Sequence, residues 1–244
     1  NVGIILHFSI MKEVIMKNII SLLVLICSVA VIIVSCAKKE ESTTAATADN
    51  TTTTATTTTF TSTTTAAGSI TVGSVAMSGT YVSACNTSGI AAAIAGGYFP
   101  SDVKSNRDVI VVTGNDNVSS ESHFYTDTTC STLSVYSKNG WDNFTVGDAS
   151  GDYYKVTYQE LGYKIKVGTT VAETYYENYF STNNITNQGT AVDLVVDTEY
   201  DLGGNGASKL NLFSVTSTQV QKAEGQASSS SYPTQMDSLV MTKQ

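Results

Sequence analysis

The sequence is short of three things: positive charge, histidine and long apolar runs. Lysine and arginine together number 13 against 21 acidic residues, which gives a formal net charge of −8 and an isoelectric point of about 4.6. Proteins that bind nucleic acid carry a basic stripe or patch that neutralises phosphates, and none is visible along this chain. We therefore expect no nucleic-acid partner.

Histidine occurs only twice, and only His123 follows residue 36. Serine or cysteine catalysis needs a base that a third group positions, whereas a lone histidine in a strand-like stretch such as "SHFY" is more often structural. A zinc site needs a cluster of histidine or cysteine ligands, which this chain does not offer. We therefore expect a protein that is not an enzyme and that binds no metal and no cofactor. Its many carboxylates leave a carboxylate hydrolase as the weakest alternative.

The one long apolar run extends from Ile19 to Val34 and has the features of an export signal. It follows Met16 and Lys17 and ends in "IVSC", so a basic start, an apolar centre and a small residue appear in the order of a secretory signal. The alternative is a transmembrane anchor. Two serines interrupt the run, however, and it is shorter than the roughly 20 apolar residues of a membrane-spanning helix.

The ending "IVSC" resembles the lipobox of bacterial lipoproteins, in which the cysteine sulfur receives a diacylglycerol before the chain is cut in front of it. The resemblance implies that Cys36 is lipidated, with palmitate-like chains, and that residues 1–35 are an over-extended start plus a signal peptide. We expect an exported protein that is lipid-anchored in the bacterial cell envelope, at the outer membrane. Its contact with the membrane is then made through the lipid chains on Cys36.

Residues 36–69 form a threonine-rich segment that includes "TTTTATTTTFTSTTT". Phe60 is almost its only large apolar side chain, so the segment cannot bury enough surface to offset the entropy lost on ordering. We expect a disordered tether that holds a folded domain, residues 70–244, away from the lipid.

Two of the four cysteines are left for this domain, because Cys27 leaves with the signal and Cys36 is acylated. Cys85 and Cys130 are an even pair in an oxidising compartment, which favours a disulfide between them. The alternative is a pair of buried free thiols.

From residue 70 onward, short alternating or apolar stretches between turn residues predict strands. Asn139-Gly140 predicts a tight hairpin between two of them, and "GGNG" at 203–206 lacks the lysine of a phosphate-binding loop and predicts a flexible hairpin. Alternation in "DYYKVTY", "YKIKVG" and "AVDLVVD" assigns nine side chains to inward faces. These are Tyr154, Val156, Tyr158, Tyr163, Ile165, Val167, Val192, Leu194 and Val196.

One helix interrupts the strands. Thr170 to Glu173 has the spacing of a capping box, and apolar or aromatic residues then recur every fourth position, which predicts a short helix from Thr170 to about Phe180. Its aromatic residues either form a lid over a barrel mouth or plug the barrel. They are Tyr175, Tyr176, Tyr179 and Phe180.

The stretches "GTYVSAC" and "YTDTTC" and the ending "SKLNLFSVTSTQVQKAEG…SSYPTQMDSLVMTKQ" resemble the small lipocalin-like barrel domains of bacterial lipoproteins. The resemblance implies a mainly β fold for residues 70–244, an antiparallel up-and-down barrel of 8–10 strands with one short helix. It also implies a cysteine pair that joins the first strand to the "YTDTTC" stretch.

These observations lead to a non-catalytic, lipid-anchored barrel that binds a small apolar or amphipathic ligand, or an envelope protein. The nine inward residues are the expected ligand-binding residues, since mouths and interiors of barrels are where small ligands enter. The alternative from another class is a surface interaction or adhesion module with a filled barrel.

Overall fold

The structure is a computed structural model, and it describes Phe60 and residues 62–187, 189–204 and 206–244. The predicted signal peptide, the lipidation site Cys36 and the greater part of the predicted tether lie outside the described residues.

The described part of the chain is mainly β, with two helices. The strands are β1 (Ile70–Val72), β2 (Val75–Met77), β3 (Thr80–Ser83), β4 (Ser105–Val112), β5 (Val118–Tyr125), β6 (Leu133–Ser150), β7 (Tyr153–Val167), β8 (Thr186–Asn187), β9 (Thr190–Ala191), β10 (Glu199–Asp201), β11 (Ala207–Val215), β12 (Gln219–Lys222), β13 (Gln226–Ala227) and β14 (Val240–Lys243). The helices are α1 (Ile90–Ala95) and α2 (Thr170–Thr182).

Eight of the strands close into an antiparallel barrel. Around the wall they follow the order β3, β4, β5, β6, β7, β11, β12 and β14, and Met241 of β14 pairs with Ser83 of β3 to complete the circle. Every neighbour in the wall is antiparallel, as in an up-and-down barrel. This confirms the predicted fold class, with α1 as a second short helix that the sequence did not predict.

The predicted hairpin at Asn139-Gly140 is wrong. The 18-residue strand β6 runs straight through it, because Asn139 pairs with Ser120 on one side and with Tyr163 on the other. Ladder partners on both edges outweigh the local turn preference of Asn-Gly. The chain turns back instead at Gly151, whose φ of 65° suits a tight turn.

The predicted hairpin at 203–206 is likewise wrong, because the flanking strands β10 and β11 do not pair with each other. β10 and β11 pair with the same edge of β7, with Asp201 opposite Lys164 and Ala207 opposite Glu160. The stretch therefore interrupts one continuous line of strand. Gly204 lies against the backbone of β7, where a Cβ on it would be 2.6 Å from the Gly162 Cα.

A first apolar cluster fills one end of the barrel, which the β1–β2 hairpin covers. Ile70, Val72 and Met77 from this hairpin are 3%, 1% and 0% exposed. They pack against inward side chains from all the barrel strands. The buried wall residues of this cluster are Tyr81, Ile110, Val112, Val118, Trp141, Phe144, Val156, Tyr158, Phe213, Val220 and Met241.

A second apolar cluster lies at the other end, beneath α2. Thr169 caps the helix by accepting a hydrogen bond from the Ala172 amide, and its own hydroxyl donates to Asp102. The helix therefore begins as predicted at Thr170, although Thr169 is the cap. Its buried residues pack against inward side chains of β6 and β7. Members of this cluster include Val135, Ile165, Val167, Ala172, Phe180 and Leu194.

The predicted strand "AVDLVVD" is also wrong. Residues 192–195 have no strand partners in the described chain, and Val196 and Asp197 form a turn. Val192 and Leu194 pack in the second cluster, and the Leu194 amide donates to Glu177 of α2. Alternation still buries Leu194 between exposed neighbours, because the segment rests with one side on an apolar helix face. β10 occupies the β7 edge that this segment would have needed.

Candidate binding site on the barrel wall

The nine residues expected to line one apolar interior divide between the two clusters. Tyr154, Val156 and Tyr158 belong to the first cluster, and five others belong to the second: Tyr163, Ile165, Val167, Val192 and Leu194. Val196 is half-buried. These side chains pack on other side chains in two groups, and the inward positions between the groups are polar. The strand register assigns Ser120, Ser122, Ser137 and Asn139 to that polar belt, each half-buried.

The four aromatic residues predicted as a lid all lie on α2 but face in different directions. Phe180 is 2% exposed and Tyr176 is half-buried, and both pack into the second cluster. Tyr179 is 42% exposed, and the Tyr175 hydroxyl donates to the Gly97 carbonyl at 2.8 Å. An anchored, inward-packed helix favours the plug over the lid.

The outer wall of β4 to β7 carries a row of directly opposed side chains. Arg107 faces His123, His123 faces Tyr136, and Tyr136 faces Lys166 in the register of the four strands. Directly opposed residues of neighbouring strands project from the same face of a sheet. Since Ile110 points into the barrel, alternation directs Arg107 and its row outward. We call these four residues the outer-wall row.

The chain before the barrel lies across this wall as an N-terminal strap, made of Phe60 and residues 62–67. Phe60 packs on the outward valines of β3 and β4 and meets the His123 ring edge-on, with centroids 5.0 Å apart. The Ala67 amide donates to the Val112 carbonyl at 2.9 Å. Contact with the barrel therefore begins before residue 70, the boundary that the sequence predicts.

Beneath the strap lies a buried carboxylate, Glu121, which is 1% exposed. It accepts hydrogen bonds from the Ser62 hydroxyl at 3.0 Å, from Thr64, and from His123 Nε2 at 2.8 Å. Burial alone would raise its pKa, but the hydrogen bonds of His123, Thr64 and Ser62 and the charge of His123 lower the pKa below its ordinary value. Glu121 and His123 therefore connect strap to wall, and His123 has a structural partner.

Three lysines on this wall are paired with acidic residues of the segment 197–201. The ion pairs join Lys138 to Glu199 at 2.9 Å, Lys164 to Asp201 at 3.3 Å and Lys166 to Asp197 at 3.1 Å. Each of these cations is therefore already balanced by a neighbouring carboxylate.

Arg107 differs from these lysines. It is the only arginine in the sequence, and among the described residues no carboxylate lies within salt-bridge distance of it. Its Nε is buried and has no hydrogen-bond partner in the described part of the chain. A buried donor without a partner is costly to a folded protein and is a reason to look for a ligand.

Arg107 opens onto a cleft of about 410 Å³ on the outer wall. Tyr125, Tyr136 and Leu133 form apolar walls, Phe60 of the strap closes one side, and Lys166 lies at the edge. We call this space the outer-wall cleft. Its size lies within the range of small-molecule sites, which combine apolar walls with a few polar groups that fix orientation.

The loop between β5 and β6 forms the remaining side of the cleft, and the disulfide holds it. Cys85 and Cys130 are joined, with their Cα atoms 5.8 Å apart, which agrees with the disulfide expected from the sequence. Thr129 and Ser131, on either side of Cys130, both donate their hydroxyl hydrogens to Asp127. Asp127 thereby organises the loop. The hydrogen bond from the Thr129 hydroxyl has the largest effect on the Asp127 carboxyl, and together these hydrogen bonds hold its pKa well below its usual range.

The two cleft tyrosines remain protonated at all ordinary pH values. Burial raises the pKa of Tyr125 to about 12, and burial together with the hydrogen bond that Tyr136 donates to Glu199 raises the pKa of Tyr136 further. The cleft therefore offers neutral phenol rings and one arginine cation.

Two other clefts lie next to loops of the barrel domain. One of about 590 Å³ lies between the loop after α1 and the start of α2, with Phe99, Val171 and Tyr175 among its residues. Another of about 360 Å³ includes Gly162 and Asp201, next to the glycine-rich interruption. Neither contains a buried polar group without a partner in the described chain.

Sequence reasoning missed the outer-wall cleft because it followed only the inward faces of the strands. Arg107, Tyr125, Tyr136 and Lys166 occupy outward positions on four strands, and only the register brings them together. One available signal was the presence of a single arginine in an acidic chain, on a strand rather than in a loop.

Neither helix of the described residues has the length and apolar character that a membrane span requires. No family model matches this chain, and no curated protein matches it either.

Proposed function

We propose that this protein is a lipid-anchored, non-catalytic barrel of the bacterial cell envelope that binds its ligand or partner on the outer wall. The observation that carries the proposal is the outer-wall cleft, which is lined by the only arginine of the sequence, a cation without an ion-pair partner among the described residues. The interior, by contrast, holds two packed clusters where an apolar ligand would have to enter. This proposal corresponds to the alternative of a surface interaction module with a filled barrel, and it places the binding surface on the outer wall.

The anchoring part of the proposal rests on the sequence. The apolar run that ends at "IVSC", followed by a threonine-rich segment, is typical of a lipoprotein signal and tether. An eight-stranded up-and-down barrel supports the resemblance to lipocalin-like lipoprotein domains. We propose attachment at the outer membrane through Cys36.

The non-catalytic part rests on how the possible catalytic groups are used. His123 is hydrogen-bonded to Glu121, and the Glu121 carboxylate is enclosed by Ser62, Thr64 and Ser119. In the described residues no group of three or more metal-ligating side chains converges. These contacts are those of a structural pair rather than of a base poised beside a nucleophile.

The test is photocrosslinking in the native host. A photoreactive phenylalanine is placed at Tyr125, in the outer-wall cleft, or at Tyr179, on the exposed side of α2. We expect adducts from position 125. Adducts from position 179 alone would overturn the proposal.

The second candidate is carriage of a small ligand inside the barrel, behind α2. The polar belt favours it, because Ser120, Ser137 and Asn139 keep partial solvent access between the two clusters. A small molecule that co-purifies with the protein from its host and is detected by native mass spectrometry, without adducts at position 125, would support this candidate.

A further inference from the structure

We infer that the outer-wall cleft binds a carboxylate that carries neighbouring hydroxyl groups, of the kind found in a sugar acid, with Arg107 holding the carboxylate. This inference rests on the proposed outer-wall function and names the ligand class for it.

Charge selects a single negative group. Lys166 at the edge of the cleft is paired with Asp197 at 3.1 Å, and His123 is paired with Glu121. Arg107 is then the one cation of the cleft that lacks a counter-charge among the described residues. A monoanion balances it, whereas a phosphate dianion would bring a second charge close to Asp127 and Glu121, both of which act on Tyr125 beside it.

Geometry favours a carboxylate as that monoanion. The guanidinium has a planar fork of donors that matches the two oxygens of a carboxylate, and such pairs are short and strong. Because Nε is buried, the donors that a ligand in the cleft can reach are the two terminal nitrogens. A carboxylate bound end-on by these two nitrogens would form two parallel charged hydrogen bonds.

The loop between β5 and β6 favours a ligand that carries hydroxyl groups. Thr129 and Ser131 line the cleft, and both hydroxyls give their hydrogens to Asp127. Their oxygens can therefore only accept further hydrogen bonds. A ligand that meets them must donate, and alcohol groups beside a carboxylate do so without adding charge.

The cleft walls suit a compact ring. Tyr125, Tyr136 and Leu133 offer apolar faces, and the phenols stay neutral. The space of about 410 Å³ is of the order that a small-molecule site needs. A sugar acid presents one apolar ring face, one carboxylate and several hydroxyls, which is the combination that this cleft complements.

The test uses the full exported protein and matched ligands in isothermal titration calorimetry. Glucuronate and galacturonate are compared with glucuronamide, which has the same ring and hydroxyls but no charge, and with inorganic phosphate. We expect a uronate to bind at least about tenfold more tightly than glucuronamide or phosphate, since one charged hydrogen-bond pair accounts for that difference. Equal binding of glucuronate and glucuronamide, or tighter binding of phosphate, would overturn the inference.

Variants locate the site. Arg107→Gln should weaken uronate binding at least about tenfold, and Arg107→Lys should restore only part of it, because lysine lacks the planar fork. Lys155→Gln, which removes a cation on a distant part of β7, serves as the matched control and should bind normally. Uronate binding that is unchanged in Arg107→Gln would overturn the assignment. If Arg107→Gln does not fold, the comparison of glucuronate with glucuronamide on the wild type still shows whether binding requires the carboxylate charge.

The bound sugar acid could be a free molecule or one residue of a glycan. A third titration, with oligogalacturonate, distinguishes the two. Oligogalacturonate that binds as tightly per residue as the monomer supports an end or side residue of a glycan. Binding of the monomer alone supports a free sugar acid. Photocrosslinks at position 125 without any uronate binding would reject this inference and leave the proposed outer-wall function standing, whereas crosslinks at position 179 alone would reject the proposed function.

Discussion

At the scale of single residues, Glu121 is the charge on which the N-terminal strap depends. The strap has little apolar surface besides Phe60, so its attachment comes largely from the hydrogen bonds of Ser62 and Thr64 to this carboxylate. Hydrogen bonds to a charged acceptor are stronger than neutral ones. The strap should therefore respond to the protonation state of one residue.

We predict that Glu121→Gln lowers the free energy of unfolding at pH 7 by about 2 kcal/mol, the value of hydrogen bonds to a charged group. The folded-state pKa of Glu121 lies below its ordinary value, so its stabilising effect is present above about pH 4 and is lost as the pH falls through the folded pKa. Urea unfolding, followed by the fluorescence of Trp141, measures this difference. A difference between wild type and variant that does not shrink in acid would contradict the assignment.

Gly204 is a second residue whose identity the fold requires. A methyl group there would be 2.6 Å from the Gly162 Cα and from the Leu161 carbonyl oxygen, and backbone atoms cannot rotate away. We predict that Gly204→Ala lowers the free energy of unfolding by about 1–3 kcal/mol.

The control is Gly140→Ala, where the added methyl would be 3.6 Å from the Leu161 side chain, an ordinary contact. That variant should stay within about 0.5 kcal/mol of wild type. Equal stability of the two variants in urea unfolding would show that the close approach of residue 204 to β7 is incorrect.

At the scale of elements, α2 is the plug of one barrel end. Phe180 is 2% exposed in the second cluster, and Thr169 with Asp102 holds the first turn. Its stability comes from packing rather than from the helix itself, because a helix of this length is marginal alone.

We predict that Phe180→Ala lowers the free energy of unfolding by about 3–5 kcal/mol through the cavity that it leaves. Tyr179→Ala, one residue away but 42% exposed, should cost less than about 1 kcal/mol. Chemical denaturation of both variants checks this. Similar losses for the two would mean that the inward face of the helix has been assigned wrongly.

The disulfide is an element of the cleft wall as well as of the fold. It closes a loop of 45 residues, for which the chain-entropy model gives roughly 4 kcal/mol. We predict that the double variant Cys85→Ser, Cys130→Ser loses stability of this order and binds uronate more weakly, because the loop that carries Thr129 and Ser131 is released. Unchanged stability would contradict the prediction, as would two thiols free to alkylation in the wild-type protein isolated from its native host.

The sequence predicted most of the barrel strands and the helix, because alternation and capping are local properties. It failed where the outcome depended on a distant strand. Asn139 and Gly140 stay in β6 because Ser120 and Tyr163 flank them, and residues 192–196 are not a strand because β10 occupies the β7 edge. The outer-wall cleft was missed for the same reason, since Arg107 and Lys166 meet only through the register of four strands.

At the scale of the whole molecule, the barrel is a scaffold with different chemistry on its two sides. Its interior carries two apolar clusters with a polar belt between them. Its outer wall carries paired lysines, a covering strap and one arginine that has no ion-pair partner among the described residues. In a chain with a net charge of −8, one such cation is a specific feature of a surface that otherwise repels anions.

The prediction at this scale concerns the attachment of the protein to the membrane through Cys36. Cys36→Ala should abolish acylation and leave the protein either as an uncleaved precursor or in the soluble fraction. Mass spectrometry of the N-terminal peptide and detergent partition of the wild type and variant measure this. A wild-type peptide with unmodified Cys36 still joined to Ser35 would show that the lipoprotein interpretation is wrong.

The way in which the wall closes has a consequence for the timing of folding. β3 near the start of the barrel pairs with β14 at residues 240–243, and no other strand of the described chain fills that place. A polypeptide that has emerged only as far as residue 239 therefore has two unpaired strand edges, on β3 and β12, and cannot complete its wall. Such distant pairing slows folding. For the export that we propose, the delay would keep the chain unfolded long enough to be translocated, and a chaperone in the receiving compartment would then need to shield the two exposed strand edges.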